Sequence, residues 1–226
     1  MLAKLTEENA RLKCQITADS TLWQIAHQDP LTTLWNRRYA DLRLAEEISR
    51  ARREGGYRFS MVLIDVDDLK RVNDQNGHAA GDEALRWVAA FLREGLRGHD
   101  LCCRIGGDEF LLILPASGEQ ECADLVARIR RRWRDPGNAS GAAIAVSIGT
   151  ASFPTQGTTV ETLLGVADDG MYADKRRRDP AHPTRVRRPS DGPSLAAQHP
   201  EPSGTRGEPL DGPVAAISGR PPNPAG

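Results

Sequence analysis

Two apolar runs, Leu101–Ile105 and Phe110–Leu114, are separated by only four residues, Gly106, Gly107, Asp108 and Glu109. Strand-length runs this close together fold back as a β-hairpin, and the paired glycines are expected to supply the positive φ values of a tight turn. A hairpin needs further strands to join. Phe59-Ser-Met-Val-Leu-Ile-Asp-Val-Asp67 offers one, a short apolar run of the buried type. Another strand is expected at about 143–152. Helical spacing fills the intervals. Asn36–Glu54 reads as a helix with Asn36 as N-cap and with Leu42, Leu44 or Ala45, and Ile48 on one side. His78–Gly98 carries the same period through Ala84, Leu85, Val88, Phe91, Leu92 and Leu96, and helices follow at about 119–134 and 160–176. Hairpins mixed with helices, rather than strict βαβ alternation, predict an α+β fold with a mixed sheet.

The flanks differ from this middle. Residues 1–28 carry a heptad-like stripe of Leu2, Leu5, Asn9, Leu12, Ile16, Asp19, Trp23 and Ala26. It fits a coiled-coil dimer stalk, or else a single amphipathic helix packed on its own domain. Eleven of the fifteen prolines and six glycines fall between Pro180 and Gly226, a composition that cannot bury enough surface to order itself. The expected organisation is an N-terminal helix at 1–28, one compact domain at 29–178 and a disordered tail at 179–226.

Thirty Lys and Arg against thirty-one Asp and Glu give a formal net charge of −1, so no overall basic field draws DNA, RNA or anionic lipid. The balance is uneven: 22 basic and 26 acidic side chains in 1–175 (−4), 8 and 5 in 176–226 (+3). No run approaches the roughly 18 apolar residues of a membrane span, and the N-terminus has no signal-peptide pattern. The four cysteines form no CxxC pair. A secreted disulfide scaffold and an integral membrane protein are excluded as readings, and a soluble, cytoplasmic chain with reduced thiols is expected.

Carboxylates gather where strands end. Asp65, Asp67 and Asp68 close the 59–67 run, with Asp65 and Asp67 pointing the same way along a strand and Asp68 opposite. Asp108 and Glu109 occupy the hairpin turn. If the hairpin lies beside the 59–67 strand, these acids converge on one edge, where they must be solvated, paired or metal-bound. Hard oxygen donors with room for water suit Mg²⁺ together with substrate phosphates rather than zinc. Gly106 and Gly107 remove Cβ atoms where a phosphate would approach the backbone. Solvated turn acids would produce the same pattern, so spacing alone leaves both readings open.

Motif order carries the reading further. Arg104-Ile-Gly-Gly-Asp-Glu-Phe110 is the signature for which the GGDEF family is named. Asp29-Pro-Leu-Thr-Thr-Leu-Trp-Asn-Arg-Arg38 resembles the family's opening motif, D-x-L-T-G-L-x-N-R-R. Ile64-Asp-Val-Asp-Asp-Leu-Lys-Arg-Val-Asn-Asp74 and Gly77-His-Ala-Ala-Gly-Asp82 resemble D-I-D-x-F-K-x-x-N-D and G-H-x-x-G-D. Val146-Ser-Ile-Gly149 and Ala167-Asp168, Met171-Tyr172 and Lys175 resemble the last two landmarks. The chain is thereby identified as a member of the family.

The resemblance implies a sheet similar to that of nucleotidyl cyclases and the polymerase palm. It implies a diguanylate cyclase that condenses two GTP into cyclic di-GMP and two diphosphates across a homodimer, in signal transduction that controls biofilm and motility. By resemblance, Asp65, the carbonyl of Val66, and Asp108 are metal ligands for two Mg²⁺ per site, with Mn²⁺ as the alternative ion. Glu109 is a further ligand or a proton acceptor. Lys70 stabilises phosphoryl charge and Lys175 holds the terminal phosphates. Asn73 and Asp82 read guanine, His78 borders the nucleotide, Gly106 and Gly107 let the chain pass close to it, and Arg104 is a minor phosphate contact. Arg97-Gly-His-Asp100 sits at the family's offset for an inhibitory R-x-x-D site that binds the product, with Arg128 as a second arginine.

This chain departs from the pattern at several places. Thr33 and Trp35 replace the usual Gly and a small or Pro residue, Leu69 a Phe, and Asp174 an Ala. Asp179 stands where a phosphate-binding arginine is expected, with Arg178 as its potential substitute. The alternative function is a non-catalytic regulator that binds GTP or cyclic di-GMP.

Overall fold

The computed structural model describes residues 22–135 and 144–179. Most of the N-terminal heptads and the tail beyond Asp179 lie outside the described residues. Five strands form one mixed sheet: β1 (Trp35–Asn36), β2 (Phe59–Asp67), β3 (Leu101–Arg104), β4 (Glu109–Pro115) and β5 (Ala145–Phe153). Their order is β1-β3-β4-β2-β5, with β1 parallel to β3 and every other pair antiparallel. Five helices are α1 (Arg37–Arg53), α2 (Leu69–Asn76), α3 (His78–Glu94), α4 (Glu119–Trp133) and α5 (Val160–Arg178). The α+β expectation holds.

Strand alternation splits the apolar residues of β2 between two cores. Val62, Ile64 and Val66 pack with α3 and α4 on one face; Phe59, Met61 and Leu63 pack with α1 and α5 on the other. The buried residues of α1 are Ala40, Leu44, Glu47 and Ile48, while Leu42, expected on the inner side, is 49% exposed. Its place is taken by Glu47, whose charge is met by Arg43 at 3.2 Å and by the Tyr57 hydroxyl. Asn36 caps α1 as expected, accepting from the Tyr39 amide.

Gly149 sets the seat of α5. A Cβ there would stand 1.8 Å from the Ala167 carbonyl oxygen and 2.3 Å from the Met171 nitrogen. The landmarks Val146–Gly149 and Ala167–Lys175 are thus two sides of one close strand–helix contact, the lysine following from the same helix.

Two expectations are corrected. Among the described residues the glycines at positive φ are Gly56 and Gly77, so Gly106 and Gly107 do not supply the left-handed conformation expected of the turn. Asp68 is not the next residue of a strand but the left-handed N-cap of α2, at φ 57°. The left-handed residues also include Thr33, at φ 59°, where the family has glycine.

Residues 22–27 are helical. Trp23, a heptad position, packs edge-on against Trp35 and Tyr39 of its own domain at 5.5 and 5.6 Å between centroids, whereas Leu22 and Ile25 face outward. No described helix is long and apolar enough to cross a membrane. Cys102, Cys103 and Cys122 are free and buried, and burial pushes the Cys102 thiol up to about 12 and Cys122 to about 11, so both stay protonated and unreactive.

Candidate active site

Strand register builds the acid cluster. Asp65 and Asp67 continue the odd positions of β2 and so lie on the α1–α5 face, and Glu109 of β4 pairs directly with Asp65. The Val66 amide donates to the Asp108 carbonyl at 3.0 Å, which ties the hairpin turn to the end of β2. From α5, Lys175 reaches back 110 positions to donate to Asp65 Oδ1 at 2.6 Å, and its Nζ lies 3.5 Å from Asp67 Oδ1. Ser147 of β5 holds Asp67 through both carboxylate oxygens, at 2.8 and 3.0 Å.

Like charges opposite one another in a sheet repel, and here burial adds to the repulsion. Burial pushes the Asp65 carboxyl up; Lys175 opposes this, while Asp108 and Asp67 reinforce it. Glu109 is likewise raised, by burial first and then by Asp108 and Asp65, with Arg37 giving partial relief and Asp168 adding to the rise. Four carboxylates, Asp65, Asp67, Asp108 and Glu109, gather here against three cations, Lys175, Arg178 and Arg37.

That surplus fits a divalent cation, and the donors are the hard oxygens such an ion takes. Among the described residues no three His, Cys, Asp or Glu side chains form a ready-made metal cage. A site of this kind suits an ion that keeps water and shares a phosphate, as Mg²⁺ does. Asp65, Asp108, Glu109 and the backbone at Val66 are the groups at hand.

Gly106 has its reason in this cluster. A Cβ there would lie 2.5 Å from Glu109 Oε2, so the glycine makes room for the carboxylate. Arg104 is held by partners within the chain. Its Nη1 donates to both oxygens of Asp29 at 3.1 and 3.2 Å, and its Nη2 to the Gly107 carbonyl at 2.7 Å. These contacts brace the hairpin turn against Asp29. Asp29 is fixed in turn by the Thr32 amide and hydroxyl, at 2.9 and 2.7 Å. Burial opposes ionisation of Asp29, but Thr32 and Arg104 outweigh it and hold the carboxyl below its usual range.

The other candidates fall in two places. Asn73 closes against α3, its Oδ1 buried without a partner and 1.9 Å from where a Cβ on Gly81 would stand. Gly81 therefore sets the Asn73 amide beside the next residue, Asp82, which is half exposed and 4.0 Å from Arg86. Lys70 in the first turn of α2 and His78 at the start of α3 are exposed. The Arg97 amide donates to Asp100 Oδ2 at 2.8 Å, and Arg128 of α4 donates to the Gly95 carbonyl at 2.5 Å, so all three inhibitory-site candidates touch the loop that follows α3.

Sequence reasoning passed over two members of the centre. Arg37 donates to the Ile105 carbonyl at 3.2 Å and is the cation that relieves Glu109. Its signal was present as the first arginine after the N-cap in the opening motif. Asp168 acts on Glu109 from α5, and only the packing of α5 on β5 brings it there.

The sheet order sets an α+β domain with an acid cluster where a hairpin turn meets the end of the central strand. The family profile described as "Diguanylate cyclase, GGDEF domain" matches residues 26–180, and the chain belongs to that family. It is 38% identical over 153 residues to diguanylate cyclase DosC of Escherichia coli K12, covering 66% of this chain and 33% of that one. It is 36% identical over 191 residues to the response regulator PleD of Caulobacter vibrioides NA1000, covering 75% and 40%. Among solved structures, the coiled coil and GGDEF domain of DgcB from Caulobacter crescentus, in complex with c-di-GMP, aligns with a TM-score of 0.67 at 28% identity. That alignment covers 77% of this chain and 94% of that one. The chain spans between 33% and 40% of the length of these two curated relatives.

Proposed function

We propose that the chain is a diguanylate cyclase acting as a homodimer, with one GTP held by each protomer. The observation that carries this reading is the gathering of Asp65, Asp108 and Glu109 where the hairpin turn meets the end of β2, next to Lys175, which is already paired with Asp65. Family membership supports it. Two Mg²⁺ ions held by Asp65, the Val66 carbonyl, Asp108 and Glu109 would supply charge neutralisation of the triphosphate and a more acidic attacking hydroxyl. Asn73 and Asp82 read the guanine edge, and the buried, unpartnered Oδ1 of Asn73 supports a recognition role for that amide. Lys70 and Lys175 meet phosphoryl charge.

The 3′-oxygen of each nucleotide forms a bond to the α-phosphorus of the other as the bond to the β-phosphate oxygen breaks, and diphosphate leaves. Glu109, beside Asp108 in the turn, serves either as a metal ligand or as the acceptor for the hydroxyl proton, depending on how the turn is set. Holding two nucleotides face to face converts a bimolecular step into one within the dimer, an advantage that reaches about 7–11 kcal/mol in well-aligned systems. Residues 1–28 would bring the protomers together, and product binding at Arg97, Asp100 and Arg128 would restrain them. The setting proposed is cytoplasmic.

The test is incubation of the chain with GTP and Mg²⁺, with product identified by mass and the rate followed against protein concentration. Cyclic di-GMP formed with a steeper than linear concentration dependence is expected, and Asp108→Ala should abolish it. Saturable nucleotide binding without product at any protein concentration would move the reading to a non-catalytic regulator.

A further inference from the structure

β5 forms one edge of the sheet, and its Ile148 amide donates to Asp174 Oδ2 at 3.0 Å instead of to a further strand. The same oxygen accepts from Arg178 at 3.3 Å and lies 3.0 Å from Arg130 Nη2, while Oδ1 accepts from Arg177 at 3.0 Å. Burial opposes ionisation of Asp174, but the Ile148 amide and the arginines outweigh it and hold the carboxyl below its usual range. A carboxylate offers about four acceptor positions, and the amide and these arginines fill them. Each guanidinium carries more N–H donors than one shared carboxylate can take, so Arg130 and Arg178 keep donors for a second anion.

A cavity of about 200 Å³ shares these two arginines. Its lining joins Arg130, Arg134 and Arg178 to Trp133, Ile144 and Ile148, and among the described residues no acidic side chain lines it. Arg134 is exposed and makes no side-chain hydrogen bond or ion pair among the described residues. The apolar side is preformed. Trp133 Nε1 donates to the Ile144 carbonyl at 2.9 Å, and the ring packs edge-on against Trp87 and Phe91 at 5.0 and 4.8 Å between centroids. With its single N–H spent within the chain, the indole offers the cavity apolar surface. Ile148 pairs with Ile64 and belongs to the core under α3 and α4, so the cavity and the acids at Asp65 and Asp67 lie on opposite faces of the sheet.

We infer that this cavity is a second ligand site, built for a small amphipathic anion: one aromatic ring that carries one oxyanion group, a phosphate or a carboxylate. The oxyanion meets the unpaired Arg134 and the spare donors of Arg130 and Arg178, which suit it as forked, permanently charged donors. The ring lies against Trp133, Ile144 and Ile148. Size limits the occupant. About 200 Å³ falls below the roughly 300–1,000 Å³ of sites that take drug-sized ligands, so a single ring fits and a nucleotide does not. The site therefore stands apart from the nucleotide reading and does not depend on it.

The experiment titrates the whole chain, without nucleotide or divalent cation, with phenyl phosphate, benzoate, inorganic phosphate and benzyl alcohol. Calorimetry reads affinity, and tryptophan fluorescence reports on Trp133. At least one of the two aromatic anions should bind saturably at one site, and the stronger of them names the oxyanion. Inorganic phosphate, which has no ring, and benzyl alcohol, which has no charge, should each bind about tenfold more weakly or not at all. Arg134→Ala should weaken the aromatic anion about tenfold, as expected for loss of one charge-assisted contact, and Arg134→Lys should recover part of that. The variant removes an exposed side chain without an ion pair among the described residues, so its fold should be intact by thermal melting. Arg131→Ala, exposed on the same helix but outside the cavity, should bind as wild type. No saturable binding of either aromatic anion, equal affinity for inorganic phosphate, or unchanged binding in Arg134→Ala would each overturn the inference. Binding lost in Lys175→Ala but kept in Arg134→Ala would place the probe at the acid cluster and overturn it as well.

Discussion

Asp65 and Asp174 are the same residue type, both largely buried, and their carboxyl groups are driven in opposite directions. Asp65 is pushed up by burial and by Asp108 and Asp67, with Lys175 its sole ion-pair partner among the described residues. Asp174 resists burial because an amide and three arginines converge on it, and its carboxyl is held down. Donor count decides the difference. A carboxylate with every oxygen occupied is part of the framework, whereas one in anionic company is suited to a cation that arrives with a ligand. Both draw a cation from α5, from positions Lys175 and Arg178, so one helix serves the framework and the reactive cluster together.

The strongest way to break both halves at once is to lift that helix. Gly149→Ala would force a Cβ into backbone atoms of Ala167 and Met171, which have no rotamer to change. We expect a loss of about 4 kcal/mol or more in folding free energy, read by denaturant unfolding, with activity lost alongside. Retention of wild-type stability would show that the α5–β5 contact is looser than 1.8 Å implies.

Separating the halves takes substitutions that act on one of them. Asp65→Asn should lower turnover by about 10²–10³-fold, the scale of losing one electrostatic group at a reacting centre. Product formation by mass spectrometry at saturating GTP checks it. Asp174→Ala should instead lower stability by about 2 kcal/mol, because it leaves the buried Ile148 amide without its acceptor. A melting temperature unchanged within a degree would remove Asp174 from the framework.

The pH dependence sharpens the contrast through its sign. The carboxyl of Asp174 is lowered in the fold, so its contribution is present above the ordinary carboxylate range and is lost as pH falls through it. For Asp65 and Glu109, raised in the fold, the stabilising contribution is full below the ordinary range and is lost as pH rises through the elevated values. Asp65→Asn should therefore melt a few degrees higher than wild type at neutral pH, an advantage that vanishes in acid. Asp174→Asn should melt lower at neutral pH and approach wild type in acid. Paired thermal scans across that range check both, and parallel behaviour of the two variants would contradict the comparison.

The smallest effect is expected at the turn that orients Arg104. Thr33 is β-branched and held at φ 59°, where an L side chain is strained. Thr33→Gly should raise stability by about 1 kcal/mol, with denaturant unfolding as the readout.

Much of this architecture was legible in the chain because its elements declare themselves locally. The 59–67 strand, the 101–114 hairpin and the Asn36 N-cap stand where periodicity and capping chemistry put them. What escaped was short or rested on distant contacts. The strand β1 has two residues. The helix α2 has eight, buries Leu69 alone and opens on a left-handed aspartate, so it carries no apolar period to detect. Leu42 was misplaced because the inner face of α1 runs through Ala40, Leu44 and Ile48 and accepts a charged Glu47, whose partners include Tyr57 from beyond the helix. Gly106 does not adopt the left-handed turn conformation that the paired glycines suggest, and the clearance it gives Glu109 is a side-chain contact that no local pattern encodes.

The sequence by itself determined the hairpin, the apolar central strand, and the acids at both their ends, since alternation and turn chemistry act within a few residues. Tertiary structure decided which of those acids face one another and which cation each receives. Lys175 meets Asp65 across 110 positions, Arg104 meets Asp29 across 75, and Asp174 meets Ile148 across 26. Those pairings follow from sheet order and from the seat of α5 on β5. Electrostatic partnership depends on distance in space and on burial, and chain connectivity places little constraint on either.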